Sequence, residues 1–324
     1  MNTSLNKKGS ALPGKIWELI RENINLVLLI CMFILGTIVS DNFLTSRNIM
    51  NVLRQIGVNG IMAVGFTFVA LAGGFDLSIG ATLAVCGCLA TGMLAQTNMF
   101  VAIAVALIVG GVIGAANGLL LKVTRGTLSE TFLITLGMSL VGNCIAMTYT
   151  GGFSMNVAKG HPYRFIGQGK IGGIPFSVIL LAVVLLICQF VLSKTSYGRK
   201  IYLTGGSKET AYASGINVSW IKTSVFIIAG VMAAVAGILQ SSRTTTAVYS
   251  MGEGADFDAC IACFIGGNKC GGGKGGMMQT LIGVMIFGLI SNILNLGGVD
   301  SSAQQVFKGV ILLLAIILDG LKRK

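Results

Sequence analysis

Ten stretches of this chain are almost free of charge and long enough, or nearly so, to cross a bilayer. They cover about 24–40, 56–72, 77–95, 99–121, 128–149, 174–193, 222–241, 256–267, 277–297 and 303–319. A hydrocarbon core of about 30 Å needs roughly 20 apolar residues in a helix. Backbone groups in lipid find no water, so segments that are apolar on every side must satisfy themselves as helices. A barrel would alternate with period two, and these runs do not. The eighth run is short, which leaves nine spans as the other count. The chain is therefore expected to be an all-α integral membrane protein of about ten transmembrane helices, some of them short or broken.

Composition agrees. Only 10% of the 324 residues are charged, against 54% in the hydrophobic set, and mean hydropathy is +0.84. Soluble domains carry about 25% charged residues. No polar linker divides the chain, so residues 1–324 read as one transmembrane domain. The N-terminal run has basic residues before it but no small-residue cleavage site after it, and reads as an uncleaved first span.

The net charge of +12 would suggest nucleic acid in a soluble protein, but here the basic residues occupy short loops. With ten spans and the N-terminus inside, Lys7, Lys8, Lys15 and Arg21 lie in a cytoplasmic segment 1–23. Inside segments and their edges also hold Lys122, Arg125, Lys194, Arg199, Lys200, Lys208, Lys222, Lys269, Lys274, Lys322, Arg323 and Lys324. Six basic residues fall outside: Arg47, Arg54, Lys159, Arg164, Lys170 and Arg243. Sixteen against six fits the positive-inside rule, with both termini cytoplasmic. Lys308 falls within the last span.

Candidate chemistry is sparse. Seven of the eight cysteines sit in apolar runs, where cysteine packs as a small hydrophobe. Cys260 and Cys263 have C-x-x-C spacing, but the only histidine, His161, is remote. No metal site and no catalytic residue is expected. Intramembrane charge is costly and usually functional. Asp76 lies in "GGFDLSIG", Asp256 and Asp258 open the eighth run, and Glu130 sits in the first turn of the fifth span. Asp76 has two compatible readings: an N-cap of the third span helped by Ser78, or part of a transport path or gate. The amides Asn59, Asn117, Asn143, Asn292, Asn295 and Gln189 suit either a path for a polyhydroxyl solute or helix-to-helix hydrogen bonds. Gly110, Gly111, Gly114 and Gly118 have the spacing of a close helix contact.

"FIGGNKCGGGKGGMM", Phe264 to Met278, imitates a phosphate loop. It fails the G-x-x-x-x-G-K-[ST] pattern, with Asn268 at the first glycine position and Gly275 after the lysine. It reads as a tight cytoplasmic turn. The longest cytoplasmic segment, about 194–221, is too polar to span. Within it, Ser207 reads as an N-cap, Lys208 to Ser214 as a short helix, and Gly215 as its stop.

That segment, "YGRKIYLTGG...YASGINV", resembles the cytoplasmic loop of ribose-type ABC importer permeases, a family serving ribose, galactose, xylose and autoinducer uptake. "NGIMAVGFTFVALAGGFDLSIG", "ANGLLLKVTRGTLSETFLITLG" and "GLISNILNLGGVDS" follow in family order over nearly the whole chain. The resemblance implies a ten-span permease of the bacterial inner membrane that works as a pair with a second copy or a paralogue. A cytoplasmic ABC ATPase and an extracytoplasmic binding protein would serve it. ATP would be used by the ATPase, and this chain would bind no cofactor. By motif, Gly198, Arg199, Gly205, Gly206, Glu209, Ala213, Gly215 and Ile216 would form the ATPase-coupling loop. Asp76 and Ser78 would match the G-x-D-L-S element of the path or gate, joined by Asn59, Asn117, Asn292 and Asn295. Departures at 268–271, at Lys208-Glu209 and at 303–306 touch the substrate rather than the architecture. The function expected is sugar import, ribose-like pentoses first. The alternatives are an ion-coupled secondary carrier for a small polar solute, which the shortage of membrane carboxylates opposes, and a non-transport scaffold or channel subunit, which leaves the cytoplasmic loop unexplained.

Overall fold

The computed structural model describes residues 24–124 and 126–321. The basic N-terminal segment, Arg125 and the terminal Lys322–Lys324 lie outside them. Five apolar helices come first: α1 (Ile24–Val39), α2 (Ser46–Leu71), α3 (Ile79–Met93), α4 (Met99–Val123) and α5 (Leu128–Thr150). A small segment follows with β1 (Met155–Asn156), α6 (Arg164–Gln168), β2 (Lys170–Ile171) and β3 (Ile174–Pro175). Then come α7 (Phe176–Lys194), α8 (Ser196–Gly206), α9 (Lys208–Ala213), α10 (Val218–Thr244), β4 (Thr246–Ala247), α11 (Ala255–Ile265), α12 (Met277–Leu296) and α13 (Ser301–Leu321).

Among the described residues six helices are long and apolar enough to cross a membrane: α2, α4, α5, α7, α10 and α12. α1 and α3 are shorter apolar helices. An apolar helix stands at each of the ten expected places, but two boundaries differ in an instructive way. α2 begins at Ser46, ten residues before the apolar run, because the Thr45 hydroxyl accepts the Asn48 N–H and caps it there. Arg47 and Arg54, expected in a loop, therefore ride on the N-terminal part of a helix. α10 likewise starts at Val218, where the Asn217 side chain accepts the Trp220 N–H. Caps set these ends, and hydropathy does not see them.

α10 lies at the centre, packed on α2, α3 and α4. The glycines of α4 make one of these contacts. A Cβ at Gly110 would meet the Gly230 carbonyl oxygen at 2.5 Å, and one at Gly118 the Thr223 Cα at 2.5 Å. The Thr223 hydroxyl donates to the Gly118 carbonyl at 3.1 Å. The expected close helix contact is thus real, and its partner is α10. One continuous apolar cluster joins α2, α10, α11 and α12.

α3 and α11 are about 22 Å and about 16 Å long at 1.5 Å per residue, short of a 30 Å core. Each follows a non-helical break, residues 72–78 after α2 and 245–254 after α10. The two short helices start side by side: a Cβ on Gly80 would lie 2.6 Å from the Gly252 carbonyl oxygen and 3.4 Å from the Asp256 amide nitrogen.

Candidate functional site

In the first break the chain leaves α2 and its amides need new acceptors. The Phe75 N–H donates to the Thr131 hydroxyl and the Leu77 N–H to the Thr135 hydroxyl, each at 3.0 Å. These threonines stand one turn apart on α5 and are fully buried. Between those amides sits Asp76. Its Oδ1 accepts the Ser78 N–H at 2.9 Å and the Ser78 hydroxyl at 2.6 Å. The Asn117 side-chain amide, on α4, donates to Ser78 Oγ at 2.7 Å. Asn117 Oδ1 is buried without a partner. Asp76, Ser78 and Asn117 are all closed off from solvent. The expected N-cap takes another form: Ser78 occupies the cap position of α3 but makes no side-chain cap bond. Asp76 holds the serine amide and hydroxyl instead.

The other amides lie elsewhere. Asn292 on α12 and Asn48 on α2 exchange a reciprocal pair of hydrogen bonds at 2.8 and 2.9 Å. Asn295 Oδ1 accepts from Gln304 at 3.0 Å, joining α12 to α13. Asn59 is half-buried on α2.

The second break leans on the opposite end of the molecule. β4 pairs antiparallel with β1, Met155 opposite Ala247 and Asn156 opposite Thr246. Thr245 takes a left-handed conformation, φ 57°, where α10 ends. Tyr163 is buried beside it, its hydroxyl hydrogen-bonded with Ser241 at 2.7 Å and donating to the Ile238 carbonyl at 3.1 Å. His161 has a local task, its Nδ1 accepting the Tyr163 N–H.

The polar segment expected at about 194–221 is two helices rather than one. α8 is capped by the Thr195 hydroxyl, which accepts the Gly198 N–H. It buries Gly198, Ile201 and Thr204 and exposes Arg199. The Ser207 hydroxyl caps α9 through the Thr210 N–H at 3.1 Å and donates to Glu209 at 2.9 Å. The Glu209 carboxyl is held below the usual carboxylate range by its own backbone N–H and by Ser207. α9 ends as expected at Gly215, φ 73°. The Gly215 N–H bonds to the Tyr212 carbonyl and the Ile216 N–H to the Ala211 carbonyl, the two bonds of a Schellman motif. Glu209, Tyr212, Ala213 and Trp220 are exposed around this turn.

α8 touches the first break directly. A Cβ on Gly205 would lie 1.9 Å from the Leu71 carbonyl oxygen at the end of α2. That same carbonyl accepts the Gly273 N–H at 3.0 Å. The glycine-rich loop is therefore more than a turn. Buried Asn268 closes it, accepting the Gly276 N–H at 2.7 Å and donating to the Cys263 carbonyl and the Thr280 hydroxyl at 2.9 Å. Tyr202 of α8 donates to its Gly275 carbonyl at 2.9 Å. Gly206 packs on Gly273 but has open space where a side chain would point.

The geometry describes a helical membrane protein in which α2 and α10 each give way to a short helix, the two short helices starting side by side, with the helix pair α8–α9 pressed on the first break. A family described as branched-chain amino acid transport system / permease component matches residues 48–316. The chain belongs to that permease family. A ribose import permease protein of Escherichia coli (strain K12) is 37% identical to it over 95% of this chain and 96% of its own. A ribose import permease protein of Bacillus subtilis (strain 168) is 38% identical over 91% of each. A D-allose transport system permease protein of Escherichia coli (strain K12) is 35% identical over 92% of this chain and 91% of its own. No solved structure matches. The permease is a transport component and a multi-pass membrane protein.

Sequence reasoning missed three features of the permease. The threonine pair Thr131 and Thr135 left a signal, an i, i+4 spacing on an otherwise apolar helix. α8 was hidden by its polar composition. Lys308 and Asp258 form an ion pair, Nζ to Oδ1 2.7 Å, joining α13 to α11. Two opposite charges alone in late apolar runs were the available clue.

Proposed function

We propose that the permease is the membrane-spanning subunit of an ATP-driven ABC importer for a monosaccharide, a ribose-like pentose first, in a bacterial inner membrane. About ten apolar helices cross or enter the membrane, the short α3 and α11 reaching only part-way, and both termini face the cytoplasm. A second permease copy or paralogue, a cytoplasmic ATPase and an extracytoplasmic binding protein complete the machine. The ribose and D-allose permeases among its relatives support the sugar. ATP binds to the partner ATPase.

One observation carries the coupling: the end of α2 touches both the cytoplasmic helix pair, through Gly205, and the glycine loop, through the Gly273 N–H. A shift of α8 and α9 against the membrane helices therefore displaces the first break and, five residues on, Asp76. Asp76, Ser78 and Asn117 are buried in the present conformation. The exposed face around α9 is the surface for the ATPase. Asn59, Asn292 and Asn295 serve the path only through the helices they hold or ride on.

The test is copurification and energetics. A cytoplasmic ATPase accompanies the solubilised chain, and sugar uptake survives an ionophore while ATP is maintained. Absence of the ATPase together with collapse of uptake under the ionophore means an ion-coupled carrier instead. Gly215→Val strains the left-handed exit of α9 by about 1–2 kcal/mol. ATPase retention then falls several-fold while the chain still inserts; unchanged retention and uptake count against the coupling role.

A further inference from the structure

Three arginines gather at the end of the molecule away from α8 and α9: Arg54 on α2, Arg164 on α6 and Arg243 in the last turn of α10. Gln168 collects them. The Arg54 guanidinium donates to the Gln168 carbonyl at 3.1 Å, and the Gln168 side-chain amide donates to the Arg243 carbonyl at 2.9 Å. Arg164 lies one turn before Gln168, on the same side of α6. Arg54 and Arg243 stand close enough for their charges to repel. The Nε of each of the three arginines is buried without a hydrogen-bond partner. The guanidiniums of Arg164 and Arg243 bond to nothing among the described residues, and no carboxylate there pairs with any of the three. The loops at this end also carry Arg47, Lys159 and Lys170, which bring the cations to six, and three acids, Asp41, Glu253 and Asp300. Asp300 is spent on the Ser302 and Ala303 amides at the start of α13. The charges outside the described residues adjoin other places, the start of α1 and the ends of α4 and α13.

A guanidinium held in place without acceptors is costly, and a carboxylate removes that cost through two parallel hydrogen bonds. Position names the source of the carboxylate. α2 and α10 are the most buried of the six long helices, so their ends lie over the middle of this face. A lipid headgroup reaches the rim, where α4, α5 and α7 are mostly uncovered. A protein seated on the face covers the middle, and fixed arginines are typical anchors of such contacts. Resting on the importer reading above, we propose that Arg54, Arg164 and Arg243 are the docking site for surface carboxylates of the extracytoplasmic binding protein. The site is tied to the helices that move. The Gly167 N–H donates to the Ser242 hydroxyl at 2.8 Å, and that hydroxyl donates to the Tyr163 carbonyl at 2.6 Å. α6 therefore rides on the last turn of α10, which leads into the second break. Docking acts on that break as α8 acts on the first.

The test titrates ribose uptake by proteoliposomes, which carry the full-length chain and its ATPase, with the ribose-loaded binding protein of the same bacterium. Arg164→Gln and Arg243→Gln remove no hydrogen bond made by either side chain, so the fold keeps its contacts. Each should raise the half-saturating concentration of binding protein about tenfold and weaken its dependence on sodium chloride. Copurification of the ATPase with each variant checks that the chain is intact. Arg47→Gln, an exposed cation at the same end, should shift the half-saturating concentration less than about twofold. An equal shift in Arg47→Gln means diffuse attraction and overturns the proposal. The vesicles are made with and without phosphatidylglycerol; a shift confined to vesicles that contain it reassigns the arginines to a lipid headgroup and also overturns the proposal. If wild-type uptake depends on the binding protein and neither variant is shifted, the docking site is wrong and the importer reading stands. Uptake that never depends on the binding protein removes the importer reading, and the docking site with it.

Discussion

The two breaks occupy matching places, each between a long helix and a short one, and they are built differently. The first, 72–78, is held by side chains: two threonine hydroxyls take its amides, and Asp76 takes the amide and hydroxyl of Ser78. The second, 245–254, is held by backbone, through the β1–β4 pair and successive turns at Met251, Glu253 and Ala255. They also answer to opposite faces. The first is pressed by Gly205 of the α8–α9 pair. The second is anchored at the far end of α10, about 40 Å away along 27 residues. Both lead into the contact between Gly80 and Gly252. The importer proposed above, driven by an ATPase on one side and loaded by a binding protein on the other, would use two such handles joined through that contact.

The comparison is broken most completely at Gly205. In Gly205→Val the new Cβ would land on the Leu71 carbonyl, backbone that cannot yield cheaply. The cytoplasmic pair must then move away from the first break while the second stays intact. Overpacking costs about 1–3 kcal/mol, and uptake should fall at least about tenfold, the equivalent of 1.4 kcal/mol in coupling. Bilayer content should be near normal, and ATPase activity in the complex should continue without transport. The same replacement at Gly206, where space is open, should cost uptake far less. Equal losses at the two positions would remove Gly205 from the coupling route.

What could be read in advance follows from which forces act locally. Apolar runs must become helices in lipid, so all ten helix locations were legible, as were the glycine face of α4 and the Ser207–Gly215 boundaries of α9. Helix ends set by a single hydroxyl or amide, as at Thr45 and Asn217, shift a boundary without changing hydropathy. The site was half legible. Asp76, Ser78 and Asn117 come together, while Asn292 and Asn295 are spent on helix-to-helix bonds. Nothing in a string of letters says which of several buried amides will find another amide 244 residues away. The glycine loop is the expected turn between α11 and α12, but its partners, Leu71 and Gly205, are distant in sequence and could not be read from it.

On the side of the second break, α11 is tied by the Lys308–Asp258 pair, with Lys308 also 5.6 Å from the Phe287 ring centroid. Lys308→Met strands the Asp258 carboxylate among apolar helices. The full cost of such a stranded charge is about 3–5 kcal/mol; both side chains here keep some exposure, 26% and 15%, so about 2 kcal/mol is expected. Adding Asp258→Asn should return most of it. Thermal unfolding of the purified single and double variants measures this cycle. A double variant as unstable as Lys308→Met alone would mean that the pair does not anchor α11.

The finest contrast is between the hydroxyls of the two breaks. Thr131→Val and Thr135→Val keep the shape of the side chain and remove the acceptor, leaving the Phe75 or Leu77 amide without its partner. Each should cost about 1–3 kcal/mol, the penalty for an unsatisfied buried group. Thr246→Val, in the second break, removes a bond from its hydroxyl to Asn156 that is exposed, and water replaces it. Its cost should be within about 0.5 kcal/mol. Hydrogen exchange makes the contrast local: the amides of 75 and 77 should lose protection in the α5 variants, while those of 245–254 keep theirs in Thr246→Val. If both breaks loosened alike, their difference would lie in the drawing of the bonds and not in the forces. If only the first loosens, side chains hold the break that α8 presses on, and that is the one a small helix movement can reset.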